Sequence, residues 1–461
     1  MKRRNQQFGF QKNKQSLIIK PNAKSGKRSN HSGTNLYTNS SAASPLLTPN
    51  LNTNHNHNTN VKASPNHQNV LPTYRQTNID DGELPFKGPI KPAFILLNFT
   101  NFLTKEEEKE ILQFKHIYYI RKQPPQSRTS VRQGSNYFKF TKDDHIAYRY
   151  QQQQVLGKGS FGSVLQCLDH MTGMPVAIKM MKNKPKVHSQ IMFELELLKS
   201  LQTEEKNGHN IIKFIDSFDF RNFFCIVMEL ASFDLYTVLK NQRFRGFLIP
   251  VIQMVARDTA IALKYMHSKN IIHCDIKPEN ILFSTPENKS CKLIDFGCSC
   301  YVGKLMFTYI QSRYYRAPEV VFGFEYGTEI DIWSLGCVLC EMVTGQPIFP
   351  AEDETELIQM MVEILGMPPK SIIQAAPRGH HYFDSAGNFI QKPNSRGQLH
   401  IPSSVTISQA TRIKDPLFLS LIDGCLKWNP HDRFTAETFL QHPWVKQKMN
   451  IKEDPPSTTR S

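Results

Sequence analysis

The sequence predicts an α+β fold of two lobes, a small strand-rich one followed by a larger helical one. From Tyr150 the chain breaks into short β-branched and aromatic runs punctuated by glycine: V155-L-G, S163-V-L-Q-C, the stretch from Pro175 to Met180, and F223-F-C-I-V-M-E229. Runs of this kind are strands joined by tight turns. Beyond Phe233 the period changes, and Ile252, Val255, Ala256, Ala260, Leu263 and Met266 recur at spacings of three and four, one apolar face of a long helix. A length of 461 residues accommodates both lobes and accessory segments.

The elements run in order along the chain. Residues 1–83 are mostly Asn, Ser, Thr, Gln and His with Lys and Arg, and the first acidic residue is Asp80. Such a segment buries too little apolar surface to offset its ordering entropy and is expected to be a disordered tail. Residues 84–148 form a small accessory region. It opens on the linker L84-P-F-K-G-P-I-K-P92, and Thr104 with Glu107 ahead of Ile111 and Leu112 makes a capping box for a short helix. H116-I-Y-Y-I120 reads as a strand. At this length the region is expected to lack a core of its own and to pack on the lobe next to it in the chain. Residues 149–230 make the strand-rich lobe, with a charged helix around Gln190 to Leu201, and residues 231–446 make the helical lobe. Residues 447–461 are a flexible C-terminal tail.

Charge and cysteine content narrow the function classes. The formal charge of +16 raises the question of nucleic acid. Much of the excess lies in the tail, however, and no basic stripe interleaved with aromatics comes after it, so a solvated tail and a basic substrate-facing surface are the preferred reading. Lys2-Arg3-Arg4 and Lys24 to Arg28 amount to a weak nuclear-import signal. No apolar run reaches ~18 residues and no signal-peptide core is present, so membrane spanning and export are not expected and a cytoplasmic location is. Nine scattered cysteines argue against a disulfide framework. Cys337 and Cys340 have C-x-x-C spacing but lie in an apolar helix pattern, and are expected as buried thiols. His55 and His57 belong to the low-complexity tail.

Five short motifs carry the chemistry: G157-K-G-S-F-G-S-V164, V176-A-I-K179, H273-C-D-I-K-P-E-N280, D295-F-G297 and A317-P-E319. Gly157, Gly159 and Gly162 remove side chains where a strand-turn-strand brings backbone N–H groups to phosphate oxygens, and Val164 can pack on a purine. Lys179 ends a β-branched strand, a poor place for a cation unless an anion sits beside it. It is read as the contact to the inner phosphates of ATP, held by Glu194 from the nearby helix. Glu196 points about 160° away from Glu194 by the helical step. Asp275 can accept the hydrogen bond of an attacking hydroxyl, Lys277 can neutralise the moving phosphoryl group, and Asn280 and Asp295 can hold Mg2+. Each motif alone is an ordinary turn; in series they specify phosphoryl transfer.

In this order the motifs resemble a eukaryotic protein kinase, over about Tyr150 to Trp444. H-C-D in place of the usual H-R-D, Y309-I-Q-S-R-Y-Y-R-A-P-E319, D295-F-G-C-S-C300 and D415-P-L-F-L419 are similar to the dual-specificity tyrosine-regulated (DYRK) family of the CMGC group. D144-H-I-A-Y-R-Y150 with the preceding accessory segment looks most like its class II branch. The resemblance implies the bilobal kinase fold, ATP and Mg2+ as cofactors, and a CMGC insert at about 366–414. It implies a nucleotide pocket lined by Leu156, Ala177 and Leu282, with Met228 as gatekeeper and Glu229 and Ala231 offering backbone bonds to adenine. It further implies that Glu319 pairs with Arg433 and that Asp331 braces the catalytic loop. A catalytically silent scaffold is the rival, and the complete set Lys179, Asp275, Asn280 and Asp295 argues against it.

The same resemblance bears on regulation and substrate. With no Arg before Asp275, Arg313 and Arg316, four and seven residues after Tyr309, are the candidates to clamp a phosphate on that tyrosine. The resemblance implies autophosphorylation of Tyr309 and phosphorylation of other proteins on Ser and Thr, at proline-directed sites, by a monomer. Glu279 is an expected reader of an upstream Arg. Thr237 stands where a second acidic residue is usual in D234-L-Y-T237, which weakens the expected Arg preference. Cys274 and Cys300 are expected close to the catalytic centre, as inert buried thiols in preference to a redox pair.

Overall fold

A computed structural model describes residues 86, 88–125, 138–159, 162–182, 185–202, 208–285, 287, 289–305, 307–395 and 397–447. The basic tail, Ser160 and Phe161 of the glycine-rich turn, and nearly all of the C-terminal tail lie outside them.

The accessory region begins with α1 (Pro92–Asn98), where Pro92 costs no hydrogen bond because the first helical N–H has no partner in the helix. α2 (Lys105–Glu110) starts at the expected box: Thr104 Oγ1 accepts from the Glu107 N–H at 3.2 Å, and the Glu107 carboxylate accepts from the Thr104 N–H at 2.9 Å. Two expectations for this region are corrected. Residues 116–120 form no strand: among the described residues Ile117 makes one antiparallel bridge with Ile90, and the Tyr118 and Tyr119 N–H groups converge on the Tyr148 carbonyl at 2.9 and 3.0 Å, a pattern that does not extend into a ladder. The region also has a core, made of Phe86, Ile95, Leu103, Ile111, Ile117, Ile120 and Tyr148. A length argument overlooks its polar fastening. Glu107 accepts from Arg121, from Arg221 at 2.8 Å and from His145 at 3.2 Å, while Glu110 takes Arg221 at 2.7 Å and the Tyr148 hydroxyl at 2.9 Å. Arg221 sits on the strand-rich lobe, so these carboxylates pin the accessory region to it.

That lobe is one antiparallel sheet of β1 (His145–Ile146), β2 (Tyr150–Lys158), β3 (Ser163–Asp169), β4 (Met174–Lys182), β5 (Phe214–Phe220) and β6 (Phe223–Glu229), in the order β1-β2-β3-β4-β6-β5. β5 escapes a search for alternating apolar residues because it is an edge strand, where Asp216 and Asp219 are tolerated. α3 (Pro185–Ser200) crosses behind, starting earlier than its charged stretch indicated. Directly opposed residues of an antiparallel pair share a face. The pairings Val164 with Lys179, Ala177 with Met228, and Lys179 with Ile226 therefore set Val164, Ala177, Lys179 and Met228 on one side of the sheet.

The helical lobe comprises α4 (Leu235–Asn241), α5 (Ile249–Ser268), two small hairpins, and a further set of helices. The hairpins pair β7 (Ile271–Ile272) with β10 (Cys300–Tyr301) and β8 (Ile281–Phe283) with β9 (Cys291–Leu293). α6 (Pro318–Phe322), α7 (Glu329–Thr344) and α8 (Glu354–Leu365) come next. Every residue of α7 from Ile330 to Met342 is buried, Cys337 and Cys340 included, as befits a helix apolar on all sides. α9 (Lys370–Ala375) and α10 (Ile407–Thr411) lie within residues 366–414, which are fastened where Trp428 Nε1 donates to the Gly366 carbonyl at 3.2 Å. α11 (Pro416–Cys425), α12 (Ala436–Gln441) and α13 (Pro443–Lys446) finish the lobe.

Candidate active site

The polar residues singled out in the sequence come from four separate stretches, and backbone strain shows how firmly two of them are held. Cys274 and Asp295 both have φ of 65°, a left-handed conformation that only a well-braced non-glycine residue keeps. For Cys274 the brace is Asp331. Its carboxylate is fully buried and accepts from the His273 N–H at 2.8 Å, the Cys274 N–H at 3.0 Å and His267 Nε2 at 2.9 Å. This is the brace that the family resemblance implied. The turn at Cys274 delivers Asp275 to the cleft.

Asp275 is held on both oxygens. Lys277 Nζ donates to one at 2.5 Å, and the Ser312 hydroxyl and N–H donate to the other at 2.8 and 3.2 Å. Asn280 donates its amide to the Asp275 carbonyl at 2.8 Å. That contact uses the nitrogen of Asn280 and directs its oxygen elsewhere, the orientation a cation ligand needs. Ser312 was not singled out in the sequence; its signal was its place three residues after Tyr309, in a stretch read only for its arginines.

On the facing lobe Lys179 Nζ pairs with Glu194 at 2.5 Å and with Asp295 at 3.0 Å. Glu196 is exposed, as its helical offset from Glu194 requires. Burial opposes the Lys179 charge, but Asp295 and Glu194 outweigh it and hold the ammonium above its ordinary pKa. The same ammonium is the main reason that Asp295 is held down at about 2, whereas burial pushes Glu194 upward. Asp295 and Glu194 thus share the Lys179 ammonium between them. Gly297 matters for packing, since a Cβ there would press on Glu194 Oε2 at 3.3 Å and Asp295 Oδ1 at 3.4 Å. Phe296 is buried with its ring edge-on to His273 at 5.5 Å, which seats the Asp-Phe-Gly turn inward.

The nucleotide side is set by strand register. Leu282 opposes Lys292 in the β8–β9 hairpin and bridges to Asp234 ahead of α4, while Val164, Ala177 and Met228 share one face of the strand-rich sheet. Leu156 is half exposed on β2. A Cβ on Gly162 would lie 2.0 Å from the Met180 carbonyl, so no side chain fits, while Gly157 and Gly159 face open space. Glu229 donates its N–H to the Lys213 carbonyl at 3.0 Å, so a bond from this residue to adenine falls to its carbonyl. Its carboxylate is occupied by Lys292 at 2.5 Å and the Lys213 N–H at 2.7 Å. Ala231 lies two residues on, before Ser232, whose N–H donates to the Phe283 carbonyl at 2.8 Å. The donor set fits a hard divalent cation with a nucleotide: Asn280 and Asp295 bring oxygen ligands from two loops, and Lys179 stands beside them.

Glu319 and Arg433 make the implied pair, bidentate at 2.6 Å on both arms and buried. Arg316 departs from a free clamp. Its Nε donates to the Ile310 carbonyl, Nη2 to the Gln311 carbonyl and Nη1 to Glu354, each at 2.8 Å, while the guanidinium lies 3.9 Å from the centre of the Tyr309 ring. Arg313 donates Nη1 to the Ala351 carbonyl at 3.3 Å and to that of Glu352, and its buried Nε has no partner among the described residues. Gln311 has φ of 64°. Thr237 caps α4 with Asp234, its hydroxyl donating to that carboxylate at 2.7 Å, and Glu279 is exposed. Glu341, missed in the sequence because it sits in the apolar pattern of α7, three residues before the helix ends at Thr344, is buried against the Tyr315 hydroxyl at 2.6 Å. Cys274 and Cys300 approach to 3.6 Å between sulfurs and are unbonded thiols; burial pushes the Cys274 thiol well up, which keeps it protonated.

The protein kinase domain family model matches residues 150–445. The chain is 37% identical over 406 residues to human dual specificity tyrosine-phosphorylation-regulated kinase 4, covering 85% of this chain and 78% of that one. The chain is a protein kinase of the DYRK family. Other relatives of the kinase are serine/threonine-protein kinase ppk5 of Schizosaccharomyces pombe (41% identical, 76% of this chain and 43% of that one) and dual specificity tyrosine-phosphorylation-regulated kinase 2 of Drosophila melanogaster (38%, 79% and 52%). The kinase thus spans about half the length of these last two. A crystal structure of a kinase domain superposes with a TM-score of 0.63 at 26% identity, covering 68% of this chain and 99% of that one. As a member of this family the kinase is a phosphotransferase that uses ATP, a divalent metal and protein substrates. No helix among its described residues is long and apolar enough to cross a membrane.

Proposed function

We propose that this kinase transfers the terminal phosphoryl group of magnesium-bound ATP to Ser or Thr followed by Pro, and that it phosphorylates its own Tyr309. Asp275, fixed by Lys277 and Ser312, orients the acceptor hydroxyl and takes up its hydrogen bond; Lys277 offsets charge on the moving group. Lys179 and the backbone of the glycine turn hold phosphates, and Glu194 positions Lys179. Asn280 and Asp295 would hold Mg2+, which when bound neutralises phosphate charge.

The observation that carries the proline preference is the reversed carbonyl of Gln311, held by Arg316 at 2.8 Å and adjacent to Ser312, which touches the catalytic Asp275. With that carbonyl turned away, the N–H of the residue after the acceptor is desolvated without a partner, a cost that Pro avoids because it has no N–H. An upstream Arg is supported by the exposed carboxylate of Glu279, with Thr237 in the place of a second acid. The Arg313 Nε, without a partner among the described residues, supports capture of a phosphate on Tyr309. Polar fastening of the accessory region onto the strand-rich lobe supports placement in class II.

The test is incubation with magnesium-ATP and matched peptides carrying Arg-x-x-Ser-Pro or its single replacements, with mass spectrometry of peptide and enzyme. The expected products are phosphoserine in the peptide, less of it without Pro or Arg, and phosphotyrosine at Tyr309. Equal use of all peptides overturns the substrate assignment; an enzyme free of phosphotyrosine overturns the Tyr309 assignment.

A further inference from the structure

Arg316 is 2% exposed, and a guanidinium so deeply buried needs a counter-charge. Its three donor positions serve three different ends. Two run to backbone carbonyls of the segment before it, Ile310 and Gln311, and the third runs to the Glu354 carboxylate at 2.8 Å. Glu354 opens α8, one residue after the helix cap Asp353, whose carboxylate accepts from the Glu356 N–H at 2.8 Å. The helix is thereby fixed in place independently of Arg316. Glu354 is the carboxylate paired with Arg316 among the described residues.

The consequence runs through the backbone. Gln311 keeps its left-handed φ because both of its ends are tied: its side-chain amide donates to the Ile330 carbonyl at 3.0 Å and to Ser334 at 2.9 Å, its side-chain oxygen accepts from the Ala317 N–H at 2.9 Å, and its own carbonyl accepts from Arg316. The first three bonds fix the side chain. The direction of the peptide carbonyl is set by the last, together with the Ser312 N–H of the same peptide plane, which donates to the Asp275 carboxylate at 3.2 Å on the opposite side.

We propose that Glu354 is a specificity-determining residue: by holding Nη1 of Arg316 it keeps the guanidinium aimed at the Gln311 carbonyl, so that no backbone acceptor is offered to the residue after the phosphorylated one. Glu354 touches neither substrate nor nucleotide and acts through Arg316 alone. Without it the guanidinium, left buried with a positive charge, turns toward other acceptors or solvent. The Gln311 carbonyl is then released to accept an N–H, and residues other than Pro become acceptable. This inference rests on the proline-directed reading above and adds to it which side chain enforces the preference.

The experiment measures kcat/KM for two peptides, identical except for Ser-Pro or Ser-Ala, in the full chain and its Glu354→Ala and Glu354→Gln variants. Tyr309 phosphorylation is matched by mass spectrometry. The ratio of the two rates on one preparation is independent of how much of that preparation is folded, so partial misfolding does not obscure the result. Loss of one fixed hydrogen bond predicts that the Pro-to-Ala ratio falls by about tenfold in Glu354→Ala. Glu354→Gln, which keeps an acceptor but not the charge, falls between. The change is expected chiefly as faster turnover of the Ser-Ala peptide. A wild-type preference that survives unchanged in Glu354→Ala overturns the role of Glu354 while leaving the proline reading intact. A wild-type enzyme that uses both peptides equally overturns both.

Discussion

Asp331→Asn changes one atom and is expected to disable the catalytic loop. The Asp331 carboxylate serves three donors, with His273 N–H and His267 Nε2 on one oxygen and Cys274 N–H on the other. An Asn offers one acceptor oxygen and presents an NH2 group to a donor it cannot satisfy. At least one buried N–H is then orphaned, which costs about 1–3 kcal/mol. If the orphan is Cys274, its φ of 65° loses its brace and relaxes, displacing Asp275 from its place between Lys277 and Ser312. Displacements of this kind cost on the order of 10²-fold in rate. The assay pairs urea unfolding, monitored by tryptophan fluorescence, with steady-state kinetics. A stability loss of about 2 kcal/mol is expected, with kcat falling far more than the KM for ATP changes. An Asp331→Asn enzyme with wild-type kcat and an unchanged unfolding midpoint would refute the reasoning.

Three further outcomes are expected. Ser312→Ala removes the hydroxyl that donates to Asp275 at 2.8 Å and accepts from Lys277 at 3.3 Å, while keeping the backbone N–H bond and the Lys277–Asp275 pair, so kcat should drop about tenfold with KM for ATP unchanged, and Ser312→Thr should restore it; loss of nucleotide binding in its place contradicts the assignment. Glu107→Gln removes the carboxylate shared by Arg121 and Arg221 but leaves Asp144 beside the first and Glu110 beside the second, and should cost about 1–3 kcal/mol, read as a lower thermal midpoint and earlier proteolysis of the accessory region. Burial raises the Glu341 carboxyl to about 7 from an ordinary 4.5. The folded chain therefore holds a proton that the unfolded chain has released between those values, and stability falls as pH rises through that window. Glu341→Gln should remove that slope from the pH dependence of the urea midpoint.

The parts of the molecule legible in the sequence are those where chemistry constrains residue type and neighbours in the chain. The glycine turn, Lys179, and the loops at Asp275 and Asp295 each sit at the end of an apolar run that fixes them, so local pattern is enough to place them. The Glu194 assignment needs only the helical step, which separates it from Glu196. The hidden parts depend on contacts between distant segments. Ser312 reaches Asp275 across 37 residues and Glu354 reaches Arg316 across 38, and neither has a local signature. β5 is masked by the acidic residues that an edge strand allows. The accessory core escapes notice because a short segment's packing is judged by length, while its polar ties to Arg221, more than a hundred residues later, appear only in the fold.

The kinase mechanism rests on Asp275 being placed to direct a hydroxyl at phosphorus. Its most direct test is transfer of the terminal phosphate of magnesium-ATP to a Ser-Pro peptide by the wild type and by Asp275→Asn, with nucleotide affinity measured on both. The expected result is steady transfer by the wild type, a drop of at least about a thousandfold in kcat for the variant, and similar nucleotide affinity in the two. Comparable turnover by Asp275→Asn, or a wild type that binds the nucleotide and transfers nothing, would contradict it.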